Sequence, residues 1–160
     1  MVRFIKYSVL GFMLVLSLTI TGVTYADDAW VLTENGYKIW NPCSGPNETV
    51  SWSGGADDEN YATGKGIIKW VEDGKLIMSY DGDVVKGKAN GKGVMTWPDG
   101  DRYEGDFVNG EMTGKGVLTC SEGDRYEGDF VNGERKGYGT FYRCDGTTQQ
   151  GQWDNDEFVG

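Results

Sequence analysis

The chain has no histidine, three cysteines and three prolines in 160 residues. Without histidine there is no imidazole base, no Ser-His or Cys-His nucleophile pair, and none of the usual histidine-ligated zinc, copper or non-haem iron sites. Cys43, Cys120 and Cys144 can close one bridge at most, and no C-x-x-C spacing exists for a metal knuckle or a thioredoxin-like redox pair. Basic residues are also scarce: 15 Lys and Arg face 25 Asp and Glu, a net charge of −10. A surface of that sign repels phosphate backbones and anionic headgroups, which argues against nucleic acid and disfavours anionic lipid as partners. Glycine and aromatic residues, by contrast, are plentiful: 26 glycines against a usual share of about 7%, and 13% aromatics. So many rings exclude intrinsic disorder, and so few prolines exclude collagen. The balance points to short strands joined by tight turns.

The first thirty residues read as an address. Residues 1–6 carry Arg3 and Lys6 and no acid, residues 9–20 are mostly apolar, and Thr24-Tyr25-Ala26 closes the stretch. That order describes a secretory signal peptide cut after Ala26, so residues 1–26 are expected to be removed and the protein exported, periplasmic or secreted. The alternative is an uncleaved anchor, because residues 7–25 are uncharged over nineteen positions. Cleavage would leave 13 basic against 25 acidic residues, a net charge of −12.

The rest of the chain repeats itself. Residues 91–113 (GKGVMTWPDGDRYEGDFVNGEMT) and 114–136 (GKGVLTCSEGDRYEGDFVNGERK) are identical at 17 of 23 positions without a gap. A third copy, 137–155, keeps Gly137, Gly139, Gly146, Gly151 and Asn155 in register, with Trp153 where Phe107 and Phe130 stand. Upstream, 64–90 opens with GKG and carries Tyr80-Asp81-Gly82-Asp83 at the same spacing, with extra length between Trp70 and Tyr80. Trp52-Ser53-Gly54 resembles half a copy, within an N-terminal capping segment, 27–63, whose Trp30, Tyr37, Trp40 and Trp52 are expected to cover the first open strand edge. A fixed period of this size means stacked units that cannot bury their apolar faces alone.

Each unit should be one hairpin. Asp99-Gly100 and Asn109-Gly110 are hairpin-turn signals, and between them Tyr103, Gly105 and Phe107 alternate with Arg102, Glu104 and Asp106. The glycines Gly91, Gly93, Gly100, Gly105, Gly110, Gly114, Gly116, Gly123, Gly128 and Gly133 are read as structural. Glycine within a strand weakens it unless something must approach closely. Gly105, Gly128 and Gly151 are therefore expected to admit a ring from the neighbouring hairpin, and valine at Gly128 to cost about 1–3 kcal/mol through overpacking.

The pattern G-x-G, then D-G-x-x-Y-E-G-x-F-x-N-G, resembles the MORN repeat: Gly91-Lys92-Gly93, Asp99-Gly100, Tyr103-Glu104-Gly105, Phe107 and Asn109-Gly110 stand at its signature positions. The resemblance implies an all-β fold, an elongated single-layer antiparallel sheet of stacked hairpins of about 23 residues. It covers 64–160, as copies 64–90, 91–113, 114–136 and 137–155 with a short tail. It also implies an attachment or scaffold role, here with no accompanying catalytic segment.

Neither catalytic, metal nor cofactor residues are expected. Counted from Asp99, the twelfth position of a calcium loop would be Gly110, not glutamate. Carboxylate pairs for acid-base work need unlike environments, and repeats give like ones, so Asp101, Glu104, Asp106, Asp124, Glu127 and Asp129 are read as solvated hairpin faces. Gly-Lys-Gly lacks the spacing and the following helix of a phosphate loop. The ladder Tyr80, Tyr103, Phe107, Tyr126, Phe130 and Trp153 is either filling between hairpins, the favoured reading, or an exposed partner platform for sugar rings or an apolar surface. Function is thus read as a non-catalytic exported scaffold for a protein or cell-envelope component. A lipid-associated protein is the alternative, and a small carboxylate hydrolase the third choice. No bridge is expected between Cys120 and Cys144. Equivalent strands lie about 9.6 Å apart, beyond the reach of a disulfide at about 7 Å between Cα atoms.

Overall fold

The computed structural model describes residues 30–41, 45 and 47–160. The apolar N-terminal stretch, its cleavage point and Cys43 lie outside the described residues. The elements are β1 (Trp30–Leu32), β2 (Lys38–Trp40), β3 (Glu48–Trp52), β4 (Gly55–Ala56), β5 (Ala62–Glu72), β6 (Lys75–Val85), β7 (Lys88–Thr96), β8 (Arg102–Val108), β9 (Glu111–Thr119), β10 (Arg125–Val131), β11 (Glu134–Tyr142), β12 (Thr148–Asp154) and β13 (Glu157–Phe158). Among the described residues there is no helix. From β5 to β13 every strand pairs antiparallel with the next in the chain. β3 pairs with β5 at the N-terminal edge, β4 also joins β5, and β1–β2 form a separate hairpin.

The turns follow the glycines. Asn109 and Gly110 have φ of 54° and 95°, both left-handed, which a two-residue turn between right-twisting strands requires. The longer turns close through Trp97 N–H donating to Asp101 C=O (3.0 Å) and Gly100 N–H to Trp97 C=O (3.0 Å). In the stretched first copy the added residues lengthen β5 and β6 to 11 residues each, joined at Asp73-Gly74.

A column of paired glycines crosses the sheet: Gly66, Gly82, Gly93, Gly105, Gly116, Gly128, Gly139 and Gly151 stand opposite one another from β5 to β12. Beside the column a bulge recurs in each repeat, at Gly82/Val84, Gly105/Asp106 and Gly128/Phe130. Bulges bend and twist a strand, so the coil of the sheet advances at the same point of every copy. Side chains alternate strictly in β8: Tyr103, Gly105 and Phe107 are buried, while Arg102, Glu104 and Val108 are exposed.

The core is one face of this sheet. Tyr80, Tyr103 and Tyr126 are 0% exposed, a value a flat single layer could not reach. Their rings lie over the glycine column, and Phe107, Phe130 and Trp153 pack on them edge-on. The chain of contacts runs Tyr80–Phe107 (5.0 Å), Phe107–Tyr103 (5.2 Å), Tyr103–Phe130 (5.0 Å), Phe130–Tyr126 (5.3 Å) and Tyr126–Trp153 (5.2 Å). Edge-to-face pairs at such distances contribute about 0.5–1.5 kcal/mol each beyond burial.

The ends are finished differently from the expectation. Trp52 on β3 does cover the first edge: it takes the Tyr80 position, its indole lies over Gly54 and Gly66, and its N–H donates to Gly55 C=O (2.7 Å). Trp30 and Trp40 instead pack at the β6–β7 turn, because Trp40 N–H donates to Gly87 C=O (2.9 Å) and Lys88 lies 4.3 Å over the Trp40 ring.

Candidate interaction surface

The six aromatic residues considered for a partner surface all lie on the inner face, at 0–5% exposure. A sugar ring or partner side chain therefore meets none of their faces without unfolding a hairpin. Each tyrosine hydroxyl donates along its own strand: Tyr80 to Asp83 C=O (2.8 Å), Tyr103 to Asp106 C=O (3.1 Å) and Tyr126 to Asp129 C=O (3.2 Å). These bonds satisfy a buried polar tip and fix each ring flat over the glycines. Burial is the main reason the phenols hold their protons so firmly. Tyr126 is pushed up to about 12 despite the lowering effect of Arg135, and Tyr80 and Tyr103 move in the same direction, with Asp83 and Asp106 adding to the effect.

The ten repeat glycines divide by role. Gly91, Gly100, Gly110, Gly114, Gly123 and Gly133 have positive φ, whereas Gly93, Gly105, Gly116 and Gly128 line the ring column. One expectation changes here. The ring over Gly105 and Gly128 comes from the same strand two residues earlier, Tyr103 and Tyr126, and it extends across to Gly116 and Gly139 on the next strand. Two residues apart on a strand means the same face, so the tyrosine meets its own strand's glycine with its hydroxyl end while its ring lies at least as close to the neighbour's, Gly116 or Gly139. At Gly151 the crowding group is the chain end, Gly160 and Phe158.

The carboxylates also divide. Glu104 and Glu127 are exposed and pair with Arg102 and Arg125 two residues away (2.6 and 2.7 Å). Asp83, Asp106 and Asp129 pair across the outer face with Lys65 (2.8 Å), Lys92 (2.7 Å) and Lys115 (2.7 Å). Asp101 departs from the solvated reading: it is 8% exposed, and its Oδ1 accepts the Ser121 N–H of the next long turn at 2.8 Å. Asp124 accepts Cys144 N–H in the same way (2.8 Å). These aspartates tie one turn to the following one.

Sequence reading missed Arg135. It occupies the place of Met112 one repeat earlier, is buried at the end of the ring ladder, and lies 4.5 Å over Trp153. Its Nε donates to Asp156 Oδ1 (2.9 Å) and a terminal nitrogen to Asp156 C=O (2.5 Å). Asp156 thus folds back to close the stack. Cys120 and Cys144 are free thiols. Burial, with Asp101 and Asp124 nearby, pushes Cys120 up to about 11, far from a reactive thiolate at neutral pH.

The outer face is what the fold leaves for a partner. Across each strand pair it presents Lys92 opposite Asp106, Val94 opposite Glu104 and Thr96 opposite Arg102, repeated as Lys115–Asp129, Val117–Glu127 and Thr119–Arg125. Val85, Val108 and Val131 stand about half exposed beside the two-residue turns. Among the described residues no group of three or more carboxylates and thiols converges as metal ligands would. The family model of the MORN repeat matches residues 80–102, 103–125 and 126–148. These are MORN repeats. Each match starts at the column tyrosine, so the three have the same 23-residue period as the copies above, offset by half a hairpin. MORN repeats are consistent with a non-catalytic interaction or scaffold role. No curated protein matches the chain.

Proposed function

We infer that the protein is a non-catalytic scaffold, exported from the cell, whose MORN repeats hold a rigid outer face toward a protein or a component of the cell envelope. One observation carries this reading: the groups that could do chemistry are already engaged within the fold. The rings lie inside, and the repeat aspartates pair with lysines or tie turns together. What is left exposed is a long surface of regular pitch, suited to docking.

The test is affinity capture from envelope fractions with the full chain as bait, alongside a Lys92→Glu, Lys115→Glu variant that reverses charge on the outer face without touching the core. Specific partners captured by the natural chain and lost by the variant support the reading. Capture unchanged by the variant, or a hydrolytic activity abolished by Glu104→Gln with Glu127→Gln in a folded protein, overturns it. Export is tested by the intact mass of the released form, expected to begin at Asp27. Retention of residues 1–26 would make the protein membrane-anchored, the alternative left open by the uncharged stretch at 7–25. The acidity of the chain leads us to expect no binding to anionic vesicles.

A further inference from the structure

The outer face changes character at its last hairpin. In β7–β8 and β9–β10 the three outer cross-strand pairs are Lys–Asp, Val–Glu and Thr–Arg. At the same register in β11–β12 they are Tyr138–Gln152, Thr140–Gln150 and Tyr142–Thr148. Every charged position has become an amide, a hydroxyl or a tyrosine. Two tyrosines are exposed there, Tyr138 at 51% and Tyr142 at 38%. On the inner side of the same strands Gly139 and Gly151 remain in the column and Phe141 and Trp153 stay buried at 3% and 5%, while Gln149 stands where the column tyrosines Tyr103 and Tyr126 stand in the earlier copies. The inner changes fall where the stack ends, and the end of the stack gives no reason for the changes on the side facing solvent.

We propose that the outer face of β11–β12 binds an uncharged oligosaccharide, with Tyr138 and Tyr142 as stacking rings and Gln150, Gln152, Thr140 and Thr148 as hydrogen-bonding groups. Three features select that class. The three pairs carry no charge, and the charges that border them are already paired, Lys136 with Asp154 (3.0 Å) and Arg125 with Glu127 (2.7 Å), which suits a ligand that carries no charge. The amides and hydroxyls both donate and accept, as a polyol's hydroxyl groups require. Tyrosine combines a flat apolar face for ring C–H groups with a polar tip, and loses little rotamer entropy on binding. Tyr138 and Tyr142 lie four residues apart on one strand, about 13 Å at a rise of ~3.3 Å per residue, so the ligand is an extended chain of sugar units and not a single ring. Arg125, opposite Tyr142 in register and 5.3 Å from its ring, bounds the patch on the β10 side.

The proposal rests on the scaffold reading and names one ligand class for it. The test is a titration of the ¹⁵N-labelled full chain, as released by its host, with neutral oligosaccharides spanning α- and β-linked hexoses and N-acetylhexosamines. Glucose alone and a charged oligogalacturonate serve as comparators. The expected result is saturable amide shifts confined to residues 125–127, 138–142 and 148–152 with at least one neutral oligomer and neither comparator. Affinity should fall at least about tenfold, about 1.4 kcal/mol, in Tyr138→Ala with Tyr142→Ala. Both residues are exposed, so the variant keeps the parent spectrum elsewhere. Affinity unchanged in that variant, no shift at the patch across the panel, or preference for the charged oligomer overturns the proposal. So does a concentration-dependent dimer that the variant abolishes, which would make a second copy the occupant. Envelope capture retained by the tyrosine variant, with the glycan titration blank, would refute the glycan site and leave the scaffold standing; a blank titration with no specific capture by the natural chain would refute both.

Discussion

Alanine at Gly128 is a small change that tests how a single sheet holds a core. A β-carbon there would stand 2.6 Å from Gly139 Cα and 2.7 Å from Tyr126 Cζ. Gly128 is not among the residues with positive φ, so alanine is compatible with the backbone and the whole cost is one of space. Carbon contacts are comfortable at about 3.5–4.0 Å, so roughly 1 Å must be found. Either β10 parts from β11 at the Gly128–Gly139 pair, or Tyr126 leaves the column. If the ring leaves, its hydroxyl loses Asp129 C=O (3.2 Å), and its edge contacts with Phe130 (5.3 Å) and Trp153 (5.2 Å) loosen. The lost hydrogen bond is worth about 1 kcal/mol and each ring contact about 1 kcal/mol. Alanine's restriction of the unfolded chain offsets about 0.4–1 kcal/mol. The net is about 2–3 kcal/mol, roughly 8 °C in Tm for a domain of this size. Thermal and urea melts followed by near- and far-ultraviolet circular dichroism measure it. Gly55→Ala is the control, since its β-carbon meets nothing within 4 Å and its φ is not positive; it should be neutral or slightly stabilising. Equal effects of the two substitutions, or a loss below about 1 kcal/mol at Gly128, would refute the steric account of the column.

Arg135→Met should be nearly neutral, within about 1 kcal/mol, because methionine fills the same place at Met112, whereas Arg135→Ala should cost about 3 kcal/mol by denaturant melt. Asp101→Ala should cost about 1 kcal/mol by removing the bond that ties Ser121 N–H of the next turn to the buried Asp101, whereas Glu104→Gln should stay within about 0.5 kcal/mol, since its ion pair is exposed. The phenol of Tyr126 is raised to about 12 in the folded state from an unfolded value near 10, so its contribution is fully present below pH 10 and is lost as pH climbs towards 12. Tyr80 and Tyr103 act in the same direction, so Tm should fall over that window together with the rise of tyrosinate absorbance; a Tm unchanged to about pH 11.5 would contradict the buried ladder.

The hairpins were legible in the sequence because their causes are local. Asn109-Gly110 needs left-handed φ at two consecutive residues, and the alternation through Tyr103, Gly105 and Phe107 sorts one face from the other within seven residues. The glycine column was legible only in part: the spacing called for a ring over Gly105, but which ring depends on how the strand coils. Asp101 and Arg135 were not legible, because their partners lie 20 and 21 residues away and are brought close only by the stacking of successive turns. Asp101 looks no different in sequence from Glu104, yet one sits between turns and the other faces water. The uncharged patch at Tyr138 and Tyr142 could have been found by setting 137–155 under the earlier copies and asking which face each difference falls on.

A repeat whose core is a single face constrains where function can reside. Each tyrosine needs the next repeat's phenylalanine or tryptophan to cover it, so the inner face tolerates little change along the stack. Even the ends are filled with substitutes of similar bulk: Trp52 for the tyrosine at one end, Arg135 with Asp156 and Phe158 at the other. The outer face is free of that requirement, because its residues meet only cross-strand partners and water. Variation in recognition therefore costs least there, and it costs least of all in the last hairpin, whose outer side chains have a complete repeat on one side only. The hairpin in which charge gives way to tyrosine and glutamine is that one. The place where the chain departs furthest from its own pattern is thus also the place where the fold best tolerates a departure, which is why we place a binding surface there and not along the rings.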